Sequence, residues 1–369
     1  MFETRAAHLR HTVTNVFDPQ HASEADWERV LAYWRQRIAE DQPGEPMLSD
    51  ADTRHNVLQP SPLYDMHRML AVNAQGEFIG SLNASFRREG TPDHAAFAPF
   101  IDAWGGVLQA HRRRGVASTL LQGLLALMEA HGKSVATIGA HLPEGHAFLQ
   151  AIGAVEKHRT VENRMAFAGL DWPMLARWRS EGFAPAHGLH AEVHVGRVPL
   201  ERLAALMAPL SVLLNDAPTT QLERPPMRFD LEGFGPWYAD MDQRGGDHFL
   251  VLLLNGAEVA AVCDASWSPR FPDRMHQRLT AVARGWRGKG LAKGVKAAML
   301  QLVRERHPQV ALAVTHNAEV NAPMLAINRR LGFAPHRHDG QYQIGIESLR
   351  AFVSTRTLAS QQETQEERP

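Results

Sequence analysis

The stretch Arg287-Gly288-Lys289-Gly290-Leu291-Ala292 decides how this sequence folds, because the chain contains a second stretch of the same pattern. The earlier copy is Arg112-Arg113-Arg114-Gly115-Val116-Ala117, so both follow Arg-x-x-Gly-x-Ala. Each copy comes after an apolar run that predicts a strand, residues 104–108 and residues 279–283. Each is followed by apolar residues at helical spacing. The sequence therefore predicts the same strand, loop and helix twice.

Both loops have the chemistry of an anion site. The first N–H groups of a helix have no partner inside the helix, and the aligned peptide dipoles add partial positive charge there. Charge-assisted hydrogen bonds to a phosphate are available from Arg112, Arg113 and Arg114 in one copy, and from Arg287 and Lys289 in the other. A single copy could equally be a basic helix start with a tight turn, but two copies with matched surroundings favour a phosphate or pyrophosphate site.

Spacing separates this loop from two other phosphate loops. A nucleotide-triphosphatase loop needs Lys and a hydroxyl residue directly after its second glycine. Gly285 and Gly290 have the required separation, but Leu291 and Ala292 follow. A dinucleotide fingerprint needs a third glycine, and Lys293 stands at that position. Both classes are excluded.

The remaining pattern resembles the coenzyme A loop of the GNAT superfamily of N-acyltransferases, which reads Gln/Arg-x-x-Gly-x-Gly/Ala between a strand and a helix. The resemblance implies that all six residues of each loop hold the pyrophosphate of acetyl-CoA. The residues that end the preceding strands are implied to lie beside it, Val282 and Ala283 in one copy and Val107 and Leu108 in the other. In its doubling, the chain is similar to tandem acyltransferases such as mycothiol synthase.

The resemblance implies an α/β (α+β) fold of two tandem GNAT-like domains. Each would be a mixed, mostly antiparallel sheet with splayed central strands, flanked by helices. A hairpin precedes each loop, residues 69–82 and residues 249–262, and the turn Asn255-Gly256 is a strong hairpin signal. We expect an N-terminal domain over residues 1–186, a C-terminal domain over residues 187–355 and a disordered Gln- and Glu-rich tail over residues 356–369.

The second copy carries more of the family pattern than the first. Asn317 and Asn321 precede a helix that ends in Leu331-Gly332-Phe333, and the resemblance implies that these asparagines contact the CoA arm. Helix capping is the alternative role for both. In the first copy, Leu142-Pro143 stands where the asparagine is expected. We therefore expect a catalytic C-terminal domain and a degenerate N-terminal domain.

The chemistry implied by the resemblance is direct attack of a primary amine on the acetyl-CoA thioester, through a tetrahedral intermediate. Many relatives place a tyrosine acid where this chain has Asn328, which could donate a hydrogen bond to sulfur. The candidate bases are Asp264 and Asp216. Alternatives stay open: Asp216 could form a turn before Pro218, and Asp264 could face solvent or recognise a cationic substrate.

Composition narrows the class of protein. The chain has 369 residues and a net charge of −1, which gives no general attraction to nucleic acid or to an anionic membrane. Cys263 is the single cysteine, and the histidines lack the spacing of metal ligands, so we expect no disulfide and no metal. The start of the sequence has no apolar leader, and we expect a cytoplasmic protein.

Two functions remain from different classes. The first is an N-acetyltransferase acting on a small-molecule amine or a peptide, as a monomer or homodimer, with no nucleic-acid or membrane partner. The second is a non-catalytic acyl-CoA-binding or regulatory protein built on the same duplicated fold.

Overall fold

The computed structural model describes residues 12–14, 17–216 and 221–355 of the chain. The described strands are β1 (Thr12–Thr14), β2 (Tyr64–Val72), β3 (Phe78–Arg87), β4 (Phe100–Val107), β5 (Val135–Ala140), β6 (Val155–Ala166), β7 (His190–Val195), β8 (Asp247–Asn255), β9 (Glu258–Trp267), β10 (Arg274–Val282), β11 (Leu312–Ala318) and β12 (Ala334–Gly345). The described helices are α1 (Glu24–Asp41), α2 (Asp50–Leu58), α3 (His94–Phe97), α4 (Val116–Ala130), α5 (Pro143–Ala151), α6 (Trp172–Gly182), α7 (Leu200–Asn215), α8 (Leu231–Arg244), α9 (Leu291–Arg306) and α10 (Ala322–Arg330).

The chain divides into two compact units, of which only the second is continuous in sequence. The first unit is Met1–Lys157 with Gly340–Pro369, and the second is His158–Asp339. The sequence predicted one boundary, at residue 186. The observed second unit instead begins at His158 and ends at Asp339, and the residues that follow it belong to the first unit. The tail expected over residues 356–369 lies outside the described residues.

The sheet of the first unit takes its last strand from the far end of the chain. Its strands β1 to β5 lie in sequence order, with β4 and β5 parallel and the others antiparallel. The end of β12 then pairs antiparallel with β5, from Gly340 opposite Ala140 to Gly345 opposite Val135. The side chains of Tyr342 and Ile344 thereby enter the core of this unit.

The sheet of the second unit is completed by β6 in the same way. Strands β7 to β11 lie in sequence order, and β6 pairs antiparallel with β11, from Ala166 opposite Leu312 to Thr160 opposite Ala318. Glu162 of β6 forms ion pairs with Arg337 at 3.2 Å and His316 at 3.5 Å. Its hydrogen bond to His316 and the nearby arginines lower the pKa of Glu162 to about 2.

Each sheet contains one parallel pair of strands that separates along its length. In the first unit β4 and β5 pair from Phe100 to Ala103, and in the second β10 and β11 pair from Arg274 to Gln277. Beyond those residues the strands have no register partners in each other, so a gap opens on the side of the glycine loop. This confirms the mixed sheets with splayed central strands that the sequence predicted.

The predicted apolar stripes of the loop helices form the cores. Leu120, Leu124 and Met128 of α4 are buried in the first unit, and α9 is buried in the second against the sheet and α6. Helices α7 and α8 contribute to a separate core on the second sheet, with Leu206 and Tyr238 fully buried. In the described part of the chain, no helix is both long and apolar enough to cross a membrane.

Candidate functional site

The glycine loop of the second unit leads directly from β10 into α9. Gly288 and Gly290 have φ of +80° and +79°, a left-handed conformation that glycine adopts without strain. The first α-helical hydrogen bond after the turn runs from Gly294 N–H to the Gly290 carbonyl. The N–H groups of residues 291–293 therefore lie at an open helix start, with the partial positive charge of the dipole.

Two arginines and one carboxylate brace this loop. Arg287 donates through Nε to the carbonyl oxygen of Val282 at 3.2 Å. Its Nη2 lies 3.8 Å from Asp216 Oδ2, and Arg284 Nη2 lies 2.8 Å from Asp216 Oδ1. The sequence predicted Asp216 as a candidate base, and the structure places its carboxylate against the loop arginines.

A cavity of about 510 Å³ opens in front of the loop. Its wall includes Asp216, Val282, Asn321 and most of the glycine loop, all predicted from the sequence, whereas Ala283, Lys289, Asn317, Asn328 and Asp264 are not part of it. Further wall residues carry no motif and were not predicted from the sequence, among them Leu213 of α7, Thr280 of β10 and Ile327 of α10.

The three predicted asparagines take different positions. Asn321 caps α10, since its Oδ1 accepts from Met324 N–H at 3.3 Å, and the residue also lines the cavity. Asn328 is 1% exposed, and its Nδ2 donates to Asn317 Oδ1 at 2.7 Å. The capping role considered for Asn321 is therefore present together with its place in the cavity wall.

Asp264 lies on β9 and is 7% exposed. Its Oδ1 lies 3.4 Å from His248 Nε2 and 3.9 Å from Arg278 Nε. The register of β9 with β10 shifts between Gln277 and Thr280, which marks a β-bulge beside Asp264. Bulges re-aim side chains and are frequent at active sites. The bulge begins where the parallel pairing of β10 ends, so Asp264 lies beside the inner end of the gap.

Tyr238 and His248 form a hydrogen-bonded pair behind Asp264. Tyr238 Oη accepts from Val198 N–H at 3.1 Å and lies 2.9 Å from His248 Nδ1. These contacts hold the imidazole with its Nε2 3.4 Å from Asp264 Oδ1. Burial raises the pKa of Tyr238, which keeps it a donor. Sequence reasoning missed His248 because no motif marks it.

A second buried polar group lies on the α9 side of the sheet. Lys296 is 1% exposed, and its Nζ donates to Gln277 Oε1 at 2.6 Å. The Nε2 of Gln277 lies 3.0 Å from Cys263 Sγ. Burial lowers the pKa of Lys296 to about 8.

The loop of the first unit repeats the second almost bond for bond. Arg112 donates through Nε to the carbonyl oxygen of Val107 at 3.1 Å, and its Nη2 lies 3.4 Å from Asp41. Gly115 has φ of +80°, and the left-handed position held by Gly288 in the second copy is held here by Arg113, with φ of +61°. Both copies of the motif therefore fold into the same turn.

The architecture matches known structures over most of the chain. A tandem GNAT protein from the clavulanic acid biosynthesis pathway aligns with a TM-score of 0.65 and 21% identity, over 91% of this chain and 99% of that one. A GCN5-related N-acetyltransferase from Sphaerobacter thermophilus aligns with a TM-score of 0.59 and 14% identity, over 91% of this chain and 96% of that one. This chain has the tandem GNAT fold. No protein-family model and no curated protein matches the sequence.

A third solved structure aligns with this chain over part of a larger protein. A GCN5-related glucosamine N-acetyltransferase region of a fungal multi-domain β-N-acetylglucosaminidase aligns with a TM-score of 0.59 and 14% identity, over 91% of this chain and 38% of that one. At identities of 14–21%, the similarity to these structures establishes the GNAT fold alone.

Proposed function

We propose that this protein is an acyl-CoA-dependent N-acyltransferase that moves an acetyl group from acetyl-CoA to a primary amine, with the chemistry in the second unit. The observation that carries the proposal is the cavity of about 510 Å³, in whose wall the glycine loop, the start of α9 and Asn321 come together. An anion site and an amide beside a strand gap fit a ligand with a pyrophosphate and an amide-containing arm.

The loop supplies the pyrophosphate site in this proposal. The N–H groups at the start of α9 are hydrogen-bond donors, and Arg287 keeps its Nη groups beside the loop while Nε is held by Val282. Lys289 and Lys293 add positive charge, and Lys289 Nζ lies 4.3 Å from the ring centre of Trp286. Charge-assisted hydrogen bonds contribute roughly 1.5–3 kcal/mol each, so a few suffice to anchor the ligand.

The gap between β10 and β11 supplies the site for the arm. Thr280, Ala281 and Val282 line the cavity on the strand that has left its parallel partner. Backbone groups of such a strand can pair with the amides of an extended arm, as a neighbouring strand would. Asn321 lines the same space at the start of α10, and Asn317 is held by the buried Asn328.

Asp264 is the proton acceptor in this proposal. A substrate ammonium with a pKa near 10.4 loses its proton at pH 7 at a cost of about 4.6 kcal/mol, so a base contributes to the rate. The Asp264 carboxylate takes the ammonium proton, and the amine nitrogen then bonds to the thioester carbon. The carbon–sulfur bond breaks to release CoA thiolate, and the second nitrogen proton passes to solvent as the amide forms. A thiol with a pKa near 8.5 can leave as thiolate at a cost of about 2 kcal/mol, so no acid is required.

In this proposal the other two predicted catalytic residues, Asp216 and Asn328, have supporting tasks. Asp216 faces Arg284 and Arg287, which suits a brace for the loop better than a base. Asn328 already donates to Asn317 and is buried, so it supports that residue instead of meeting the sulfur. The acceptor is a small-molecule amine or a peptide.

One observation favours the non-catalytic alternative. Asn328 occupies the place of the tyrosine acid implied by the family resemblance, and it is engaged by Asn317. A protein that binds acyl-CoA and turns nothing over would keep the loop and the cavity, and would tolerate this replacement.

Release of free thiol from acetyl-CoA tests the proposal. It is measured with amine, aminoglycoside, polyamine and peptide acceptors for the wild type, Gly290→Glu and Gly115→Glu. Both glycines have the same left-handed φ, +79° and +80°, so the two variants carry matched backbone strain. We expect Gly290→Glu to abolish turnover and Gly115→Glu to retain most of it. Equal loss would overturn the single active unit, and tight acetyl-CoA binding without turnover would establish the alternative.

A further inference from the structure

We infer that the first unit is a closed copy of the acyl-CoA cleft, filled by Tyr33 and Arg37 of its own first helix, so that the chain binds one acyl-CoA. The inference rests on the proposed function for what the cleft of the second unit binds. From the loop sequences alone, the site at Arg112 in the first unit would be expected to match the site at Arg287 in the second.

The two units can be compared residue by residue, because three residues around each loop occupy equivalent positions. Asp41, Val107 and Arg112 have the counterparts Asp216, Val282 and Arg287, and the same number of residues separates each pair. In both units the arginine binds the strand carbonyl through Nε and faces the carboxylate at the end of the preceding helix. Positions along α1 and α7 can therefore be equated by counting back from Asp41 and Asp216.

In the first unit, two side chains of α1 lie on the strand that leads to the loop. Tyr33 donates to the carbonyl oxygen of Gly106 at 2.8 Å, and Arg37 Nη2 donates to the carbonyl oxygen of Gly105 at 3.2 Å. The Arg37 guanidinium also pairs with Asp41. Tyr33 is 3% exposed, so these contacts fill the angle between the helix and the strand.

In the second unit the counterparts leave that angle open. Ala208 stands in place of Tyr33, and Val212, which is 63% exposed, stands in place of Arg37. The neighbouring Leu213 lines the cavity, together with Thr280 and Ala281, the counterparts of Gly105 and Gly106. These elements therefore line a cavity in the second unit, whereas Tyr33 and Arg37 occupy the corresponding angle in the first.

In each unit the residue on the strand before the loop suits the side chain that the helix places over it, on β4 and α1 in the first unit and on β10 and α7 in the second. A Cβ on Gly106 would collide with the Arg37 guanidinium, which would then have to move from the position it holds over the strand. Ala281 carries that Cβ in the second unit, where Val212 puts no guanidinium over the strand. Burial lowers the pKa of Arg37, which reflects how far this guanidinium has been removed from solvent.

Replacing the two side chains should open the cleft without unbalancing its charges. With Tyr33→Ala and Arg37→Val, Asp41 keeps Arg112 as its partner, as Asp216 keeps Arg287 in the second unit. An opened cleft would still lack a cap asparagine, since Leu142 precedes α5 and makes no side-chain cap. We therefore expect the new site to be weaker than the natural one.

Calorimetric titration with acetyl-CoA tests the inference. The wild type and Gly115→Glu should each bind one equivalent, and Gly290→Glu should bind none. Adding Tyr33→Ala and Arg37→Val to Gly290→Glu should restore one weaker equivalent, whereas adding Tyr33→Phe, which keeps the ring, should restore none. Circular dichroism checks that each variant is folded.

Several results would overturn the inference. They are two equivalents in the wild type, binding by Gly290→Glu that Gly115→Glu then removes, and a folded triple variant that binds nothing. A wild type that binds no acetyl-CoA would instead overturn the proposed function, so the two failures are distinguishable.

Discussion

Arg287 Nε lies 3.2 Å from the carbonyl oxygen of Val282, so the arginine that opens the glycine loop is fastened to the strand that precedes it. Arg112 makes the same bond to Val107 at 3.1 Å. One edge of each guanidinium is thus used to shape the turn, and the opposite edge is directed to an aspartate. Arg287 and Arg112, which the sequence predicts as phosphate ligands, therefore also stabilise the turn of their own loops.

We predict that Asp216→Asn lowers kcat by less than about tenfold, because the carboxylate braces Arg284 and Arg287 and does not take a proton. Loss of a general base costs about 10²–10⁴-fold. Steady-state kinetics with saturating acetyl-CoA decide between the two roles. Asp41→Asn, the matched change in the first unit, should leave kcat unchanged. A loss of 10²-fold or more in Asp216→Asn would restore Asp216 as the base.

We predict that Asp264→Asn lowers kcat/KM by about 10²–10⁴-fold while the Kd of acetyl-CoA stays the same, as expected for a base outside the cofactor cavity. The charged and titratable groups that face Asp264 are His248, Arg278 and, behind the histidine, Tyr238. Kinetics and binding are measured on the same preparation. A parallel loss of acetyl-CoA affinity would show that Asp264 only supports the fold.

The histidine behind Asp264 gives a separate prediction. In His248→Leu the Asp264 carboxylate loses the imidazole that lies 3.4 Å from its Oδ1, so we expect kcat/KM to fall while the Kd of acetyl-CoA stays the same. Steady-state kinetics and calorimetric titration of both proteins measure the two quantities. An unchanged kcat/KM would show that His248 does not act on Asp264.

We predict that Lys296→Met stabilises the protein at pH 7. The pKa of Lys296 is lowered by burial from 10.5 to about 8, so the folded state holds fewer protons than the unfolded state between those values. The wild type should therefore gain stability as the pH rises from about 8 to 10.5, by up to about 3 kcal/mol, whereas the variant should not. Urea unfolding of both proteins across this range checks the sign. An advantage of Lys296→Met that does not shrink with rising pH would contradict it.

We predict that Gly294→Ala destabilises the second unit by about 1–3 kcal/mol or more, because α6 and α9 touch backbone to backbone. A Cβ on Gly294 would lie 2.8 Å from Gly182 Cα. The control is Gly123→Ala in α4, where the added Cβ meets the flexible end of Met69 at 2.6 Å and the helix gains propensity. Chemical denaturation should show a clear loss only for Gly294→Ala, and similar stabilities for both variants would contradict the prediction.

Local pattern predicted the repeated elements of this chain well. The paired loops, the hairpins before them and the apolar stripes of α4 and α9 were legible because their signals lie within a few residues of each other. The sequence did not predict that β6 pairs with β11 of the second unit or that the end of β12 pairs with β5 of the first. Alternation shows that a segment is a strand, but Gly340 and Ala140 become neighbours only through pairing across the whole chain.

The candidate site likewise contains residues that local sequence predicted and residues that it did not. The glycines and arginines of the loop could be named in advance, since positive φ and anion binding are local properties. The partners of Asp264 could not, because His248 and Tyr238 reach it from β8 and α8, which carry no motif.

The sequence by itself determined that the fold is duplicated, and where each copy turns from strand to helix, because those choices depend on backbone conformation and periodicity over short spans. Only the tertiary structure decided how the two copies differ. In the first unit, Tyr33 and Arg37 of α1 bond to the strand that leads to the loop, whereas Ala208 and Val212 stand at those positions in α7. Side-chain volume and hydrogen bonds between residues far apart in sequence, not the loop itself, determine what lies against that strand in each copy.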